Sequence, residues 1–298
     1  MRPSRHHLKR LLLLTFVVSL VVGSTSMLIL SSRAPSRPAA VPSSAATLSQ
    51  ARETYGRIPL SFEANRGQTD EEVNFIARGG GYALFLKPTE AVFALRSSDR
   101  GLSKEEQAQR SLNAEAPLST AEPQVASRNP QSKVLRMKLV GANPVAAFEG
   151  ADELAGKANY FEGDDPARWR TDVPTFGRVR YGGVYPGIDV VYYGNQRQLE
   201  YDFNVAPGAD ARAVSLEFEG ADKLEVDDDG DLLLTLKGEI IRQPRPVIYQ
   251  EVAGARRTVE GGYVIGEDGR VGFRVGDYDA RLPLVIDPTL VYSTYLGG

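Results

Sequence analysis

The chain has 298 residues and a formal net charge of −3, with 42% hydrophobic residues, 24% charged residues, 29 Gly and 18 Pro. This composition is typical of a globular, turn-rich protein. The chain contains no cysteine, which excludes disulfide bonds, a thiol nucleophile and cysteine-ligated zinc. Its two histidines, His6 and His7, both precede an apolar N-terminal stretch, so the rest of the chain cannot form a Ser-His-Asp triad or a three-histidine zinc site.

The first thirty residues resemble a leader for export. Four basic residues within Arg2–Arg10 precede an uncharged stretch from Leu11 to Leu30, which contains the small residues Gly23–Ser26. This is the plan of a secretory signal peptide. The stretch is also long enough to span a bilayer, so a cleaved signal and an uncleaved membrane anchor both stay open. Either way, we expect residues 1–30 to be the only membrane contact and the rest to lie in the periplasm, at the cell surface or outside the cell.

The charge of the exported part argues against two classes of partner. Residues 1–30 contain four basic residues and no acidic residue, so the remainder is more acidic than the whole chain. Nucleic acids and anionic lipids require a basic face on their protein partner. We therefore expect neither as a general partner.

Two polar stretches flank the first predicted strands. Residues 31–56 are rich in Ser, Ala, Pro and Arg and lack apolar periodicity, which predicts a flexible tether. Residues 97–132 are rich in Glu, Gln, Ala and Ser and contain Pro117, Pro123 and Pro130, which prevent a long helix. We expect a disordered excursion there, and a functional lid or partner-binding arm is the alternative.

The clearest structural unit is a hairpin from Val184 to Asp210. Its second arm alternates apolar and polar residues from Gln198 to Val205, as a half-buried strand does, and its first arm, Ile188–Tyr193, is β-branched and aromatic. Gly194-Asn195 between the arms predicts a tight turn.

Short strand-like segments separated by turn residues fill most of the remaining chain, and no helical pattern recurs between them. This favours an all-β fold for residues 57–290: an antiparallel β-sandwich-like module, in two packed halves. The other predicted strands are Leu60–Asn65, Val73–Gly79, Tyr82–Lys87, Glu90–Arg96, Lys133–Gly141, Ala158–Gly163, Thr175–Tyr185, Val214–Gly220, Lys223–Val226, Asp231–Leu236, Glu239–Gln243, Pro246–Val252, Arg257–Ile265, Arg270–Val275 and Leu282–Asp287.

Several long motifs occur in a family-like order: PLSFEANRGQTDEEVNFIARGGGYALFLKPTEAVFALR, VLRMKLVGANP, NYFEGDDPARWRTDVPTFGRVRYGGVYPGIDVVYYGNQRQLEYDFNVAPGAD and VIDPTLVYSTYLGG. Together they resemble the N-terminal domain, of unknown function, of bacterial proteins that carry SBBP repeats, which form β-propeller blades. The resemblance covers residues 57–298 and implies no reaction. Residues 291–298 look like the opening of a first repeat, so the resemblance implies that the chain is a fragment whose partner is a downstream propeller.

Paired carboxylates can hydrolyse glycosidic bonds without histidine, and Glu63 and Asp70 are the candidate pair. Asn65 and Arg66 between them could orient a sugar or a carboxylate. The alternative, which we favour, is a surface turn in which Arg66 pairs with a neighbouring acid.

Aromatic side chains are the second candidate binding feature. Trp169 and Tyr193, with neighbouring tyrosines, could stack against sugar rings. Alternation places Tyr192 and Tyr193 on opposite faces of their strand, and core or cross-strand packing is the favoured use of such rings.

The acidic run from Asp227 to Asp231 is a weak calcium candidate through Asp227, Asp229 and Asp231. The calcium-loop pattern requires a carboxylate at its twelfth position, and this position is Leu236. A β-turn between two strands explains the run more directly.

These observations predict a non-catalytic structural or binding module, secreted or on the cell surface, that precedes and orients a β-propeller. No cofactor is expected. A carbohydrate-binding or carboxylate-dependent glycoside-active module is the alternative, and surface glycans or proteins are further candidate partners.

Overall fold

The computed structural model describes residues 58–79, 81–96, 132–161, 163–196 and 198–291. These ranges contain two short 3-10 turns, Pro166–Arg168 and Ala211–Ala213, and no α-helix. No helix in them is long and apolar enough to span a membrane. Their strands are β1 (Phe62–Ala64), β2 (Phe75–Gly79), β3 (Tyr82–Lys87), β4 (Glu90–Arg96), β5 (Ser132–Leu139), β6 (Ala147–Tyr160), β7 (Arg170–Tyr185), β8 (Ile188–Asn195), β9 (Gln198–Val205), β10 (Leu216–Glu219), β11 (Lys223–Val226), β12 (Leu232–Leu236), β13 (Glu239–Gln243), β14 (Val247–Val252), β15 (Ala255–Thr258), β16 (Gly261–Ile265), β17 (Val271–Val275), β18 (Leu284–Asp287) and β19 (Thr289–Val291).

All of these strands belong to one antiparallel sheet. The strands pair in the order β16, β17, β10, β5, β4, β3, β2, β1, β7. β8 pairs with the same edge of β7 as β1, further along the strand, and is followed by β9, whereas β6 pairs with the opposite edge of β7. At β9 the sheet forks into a β18–β14–β15 branch and a β19–β13–β12–β11 branch. The sheet nearly closes into a barrel, with β11 approaching β16 across the seam.

The predicted all-β, antiparallel fold is therefore confirmed. Its division into two sandwich-like halves is not confirmed, because the described strands form one continuous sheet, and it stays a prediction. The leader (residues 1–30), the tether (31–56), nearly all of the excursion (97–131) and most of the terminal repeat-like segment (292–298) lie outside the described residues. Ser132, which the predicted excursion included, is the first residue of β5.

The hairpin β8–β9 has the predicted alternation. Leu199, Tyr201, Phe203 and Val205 are buried, whereas the polar residues between them are half-exposed. The turn differs from the prediction, because β8 continues through Asn195, which pairs with Gln198. Gly194 lies inside the strand with φ of 145°, and a Cβ there would lie 2.2 Å from the carbonyl oxygen of Gln198. Glycine is therefore required for close backbone approach, not for the turn.

The core beneath this hairpin is aromatic. Rings contact in series, with centroid separations of 5.6 to 6.4 Å, from Tyr181 through Tyr192, Tyr201, Phe203 and Phe273 to Tyr263. Each ring buries a large apolar area, and edge-to-face contacts add stability. Since Tyr181, Tyr192 and Tyr201 are buried, the favoured prediction of core packing is correct for them.

Candidate functional site

Glu63 belongs to a partly buried cluster on β1 and β2. The β1–β2 register places Glu63 opposite Ile76, so Arg78 lies diagonally across on the same face. The Arg78 guanidinium lies 2.6 Å from the Glu63 carboxylate, and the Tyr160 hydroxyl donates a hydrogen bond to that carboxylate. Burial and the bond to Glu63 raise the pKa of Tyr160 to about 12. These contacts are those of an ion pair between Glu63 and Arg78 that joins β1 to β2.

Asn65 and Asp70 organise the loop that follows β1. The Asn65 amide donates to the carbonyl oxygens of Asp70 (2.7 Å) and Val73 (2.8 Å) and accepts a bond from the Gly67 N–H (3.0 Å). The Asp70 carboxylate accepts from the Glu72 N–H at 3.0 Å. This arrangement contains the turn favoured from the sequence, whereas the pairing of Arg66 with a neighbouring acid stays a prediction. The carboxylates of Glu63 and Asp70 have separate partners, and their use as a catalytic pair, the alternative from the sequence, stays a prediction.

The loop touches the tip of the β6–β7 hairpin. Arg170 donates to the carbonyl oxygen of Arg66 at 3.0 Å. The Trp169 indole donates to the Gly163 carbonyl oxygen at 3.1 Å and packs edge-on against Phe161, with ring centroids 5.2 Å apart. Phe161 is 64% exposed and Trp169 is 38% exposed. The structure therefore joins the Arg66 loop to an exposed aromatic pair held in a fixed arrangement.

Tyr193 has none of these contacts. It lies on the outer face of β8, opposite the face that buries Tyr192, as alternation predicts. Its hydroxyl lies 3.1 Å from both carboxylate oxygens of Asp202, and the Arg178 guanidinium lies 5.5 Å from its ring. Tyr193 is thus part of a different cluster from Glu63 and Trp169.

That second cluster is centred on two carboxyl groups that sequence reasoning missed as a site. Asp202 on β9 and Asp287 at the end of β18 are brought opposite each other by the register of these two strands. Burial, followed by the neighbouring charge of Asp287, raises the pKa of Asp202 to about 7. Burial also raises the pKa of Asp287 and of nearby Glu200. The charge of Asp287 disfavours ionisation of Asp202, as expected for two neighbouring carboxyl groups.

The alternation of β9 identified Asp202 as outward-facing, but no local signal paired it with Asp287. The two residues are distant in sequence and meet because β18 pairs with β9. Perturbed carboxyl groups often mark functional positions, which makes this cluster the chemically most distinctive one in the described chain.

The acidic run forms a turn between β11 and β12. The Asp227 carboxylate accepts from the N–H groups of Asp229 (3.0 Å) and Asp231 (2.9 Å), and its carbonyl oxygen accepts from the Gly230 N–H (3.0 Å). Arg242 lies 3.3 Å from Asp227 and 3.6 Å from Asp229, and it donates to Asp231. One arginine therefore forms ion pairs with all three residues of the weak calcium candidate. No cluster of three or more candidate ligands suited to a metal ion occurs in the described ranges.

The described part of the chain also contains shallow cavities. One, of about 180 Å³, lies beside this acidic run at the seam between β11 and β16, where Asp227 and Asp229 line it together with Arg274. Another, of about 400 Å³, lies beside Gly208, Arg212 and Tyr278. Neither is lined by a sequence-predicted sugar or catalytic residue.

A family model described as a domain of unknown function, DUF7948, matches residues 62–289. The chain belongs to this family. A search of curated proteins found no match. The DUF7948 match begins at the first residue of β1 and ends in β19, so it includes both side-chain clusters and the fork of the sheet.

Proposed function

We propose that this DUF7948 domain is a non-catalytic, exported structural module that holds and orients a β-propeller following it in the chain. The resemblance to SBBP-repeat proteins is the reason for expecting a propeller after this domain. The leader-like residues 1–30 support export to the cell surface or beyond. The observation that carries the proposal is the way in which β19 is fixed.

β19 is paired on both sides. Thr289, Leu290 and Val291 pair with Glu200, Leu199 and Gln198 of β9, and Val291 also faces Arg242 of β13. Leu290 is 2% exposed and belongs to the main core. A segment attached beyond such a strand has its first residues held by the whole sheet, which restricts its orientation relative to the domain.

The contacts of the candidate site residues support a structural role. Glu63 pairs with Arg78, and the Asn65 and Asp70 side chains bind their own loop. Each of these groups therefore has a structural use that requires no substrate.

The test joins the whole chain to a propeller of SBBP repeats. We expect the joined protein to unfold in one cooperative transition, with a higher midpoint than the propeller alone, because β19 couples the two parts. Leu290→Ala should separate the transitions, whereas Thr289→Ala, a half-exposed position on the same strand, should not. A propeller that unfolds at the same temperature with and without the chain contradicts the proposal.

Glycan binding is the alternative function, and the exposed Phe161–Trp169 pair favours it. A fixed aromatic ring provides an apolar face at low entropic cost on binding. The test is a panel of glycans and glycoside substrates with wild type, Trp169→Ala and Glu63→Gln. Binding lost only in Trp169→Ala supports a glycan-binding module, and hydrolysis lost in Glu63→Gln supports an enzyme. No binding and no hydrolysis by the wild type eliminates this alternative.

A further inference from the structure

The chain from Leu284 to Val291 runs along β9 and crosses the fork of the sheet. β18 pairs with β9 at Val205–Phe203, and β19 pairs with it at Glu200–Gln198. Pro288 separates the two strands, and its carbonyl oxygen accepts a bond from the Tyr201 N–H at 3.2 Å. On one side of this point, β18 also pairs with β14. On the other side, β19 also pairs with β13.

The Asp202–Asp287 pair lies at this fork. Ile286 faces Phe203, so the next residues along each strand, Asp287 and Asp202, are brought together on the outer face of the sheet. As facing residues of two paired strands, these carboxyl groups can hydrogen-bond each other only when one of them is protonated. The Tyr193 hydroxyl, 3.1 Å from both Asp202 oxygens, donates a further bond to the same group.

The surrounding charges decide whether a second negative charge is tolerated. Burial and the nearby Asp287 disfavour ionisation of Asp202, and Glu200 adds another carboxylate. Arg256 favours ionisation of Asp287, although it also stacks on Tyr249, 4.2 Å from the ring centroid. Among the described residues, the titratable or charged groups around the pair are Tyr193 of β8, Glu200 of β9, Tyr249 of β14, Arg256 of β15, Tyr263 of β16 and, over the Tyr193 ring, Arg178 of β7.

We propose that Asp202 and Asp287 form a proton-operated clamp at the fork: one shared proton holds β18 against β9, and its loss loosens the chain leading into β19. When the proton leaves, the carboxyl–carboxyl hydrogen bond is replaced by repulsion between two partly desolvated carboxylates. The clamp would regulate the strand through which the proposed function acts, and only this consequence depends on that function.

The experiment measures amide hydrogen exchange of the whole chain, without any propeller, between pH 4 and 8, as protection factors corrected for the intrinsic exchange rate. The Tyr201 amide, which donates to Pro288, reports the fork directly. We expect its protection factor to fall by up to about tenfold per pH unit as pH rises towards 7, since a protonated group is lost from the closed state. Asp202→Asn and Asp287→Asn should remove most of this decline. Glu217→Gln, an exposed carboxyl on β10, should leave it unchanged.

Two results would overturn the clamp. One is a Tyr201 protection profile that is the same in wild type and both aspartate variants. The other comes from carbon-13 titration of the wild-type carboxyl groups, which needs no variant to fold: separate titration of Asp202 and Asp287 at ordinary acidic pH would show that they share no proton. Because neither measurement involves a propeller, failure of the clamp is distinct from failure of the proposed function.

Discussion

Glu63 shows how one side chain can satisfy a catalytic pattern and still have a structural role. Its side chain is 14% exposed, and the Arg78 guanidinium and the Tyr160 hydroxyl bind its carboxylate. Residue types near Asn65 and Arg66 suggested a sugar site, but the contacts that distinguish a site from an ion pair come from β2 and β6. Sequence spacing contains no information about those contacts.

Replacing Glu63 by Gln tests this role. The change leaves the Arg78 charge without its carboxylate in a partly buried position, and we expect a loss of about 1–3 kcal/mol in the free energy of unfolding. Glu72→Gln is the matched control: Glu72 pairs with Lys87 but is 73% exposed, so it should cost under about 1 kcal/mol. Urea denaturation measures both. Equal losses in the two variants would show that the Glu63 pair is no stronger than a surface pair.

Gly194 offers a second test at the scale of single residues. Ala at this position places a Cβ 2.2 Å from the carbonyl oxygen of Gln198, so the β8–β9 pairing has to shift. Gly254 also has positive φ, but a Cβ there meets nothing within 4 Å. We expect Gly254→Ala to cost about 1 kcal/mol from backbone strain alone and Gly194→Ala to cost clearly more. Thermal unfolding of the two variants provides the comparison, and equal costs would contradict the close backbone approach.

At the scale of elements, short segments bounded by turn residues were predictable, whereas a long exposed strand without an apolar pattern was not. β3, β4, β11 and β13 have the predicted boundaries. The sequence analysis did not predict most of β6. Its residues, which include Gly150, Gly156 and several alanines, show no regular apolar pattern, because most of the strand is exposed. Its pairing with β7 makes it a strand, with register shifts between Glu153 and Tyr160. The predicted strand Arg257–Ile265 is two strands, β15 and β16, which pair with different partners.

Alternation in β9 leads to a prediction for two adjacent residues. Phe203 is fully buried, whereas Asn204 lies on the outer face. We expect Phe203→Ala to cost about 3–5 kcal/mol, because it removes an aromatic ring from a packed core, and Asn204→Ala to change stability by no more than about 0.5 kcal/mol. Denaturant unfolding measures both. Similar costs for the two changes would mean that β9 is not half-buried in solution.

For the whole molecule, we expect the carboxyl groups at the fork to contribute most to the response of stability to pH. The pKa of Asp202 is raised from 3.8 to about 7, chiefly by burial, so its favourable contribution is complete below about pH 4 and is lost as pH rises towards 7. Hydrogen bonds from Arg281 lower the pKa of Asp279 to about 2. The contribution of Asp279 to stability is therefore complete above about pH 4 and is lost as pH falls towards 2.

We therefore expect the free energy of unfolding to decrease between about pH 4 and pH 7. Asp202→Asn should flatten this decrease. The free energy of unfolding of the variant minus that of wild type should therefore be larger at pH 8 than at pH 4. Denaturant titrations at several pH values test this. A wild-type protein whose stability rises over the same interval would show that the fork is not the main titrating feature.

Local alternation and turn residues were sufficient to predict an antiparallel all-β fold and the inward face of β9, because a strand with one buried face repeats every two residues along its own sequence. Pairing between distant strands follows no such local rule. The near-closure of a single sheet, the fork at β9 and the meeting of Asp202 with Asp287 depend on which non-neighbouring strands come together, and that choice is made by packing around the shared core. Only the tertiary structure therefore decided where the chemically distinctive carboxyl pair lies.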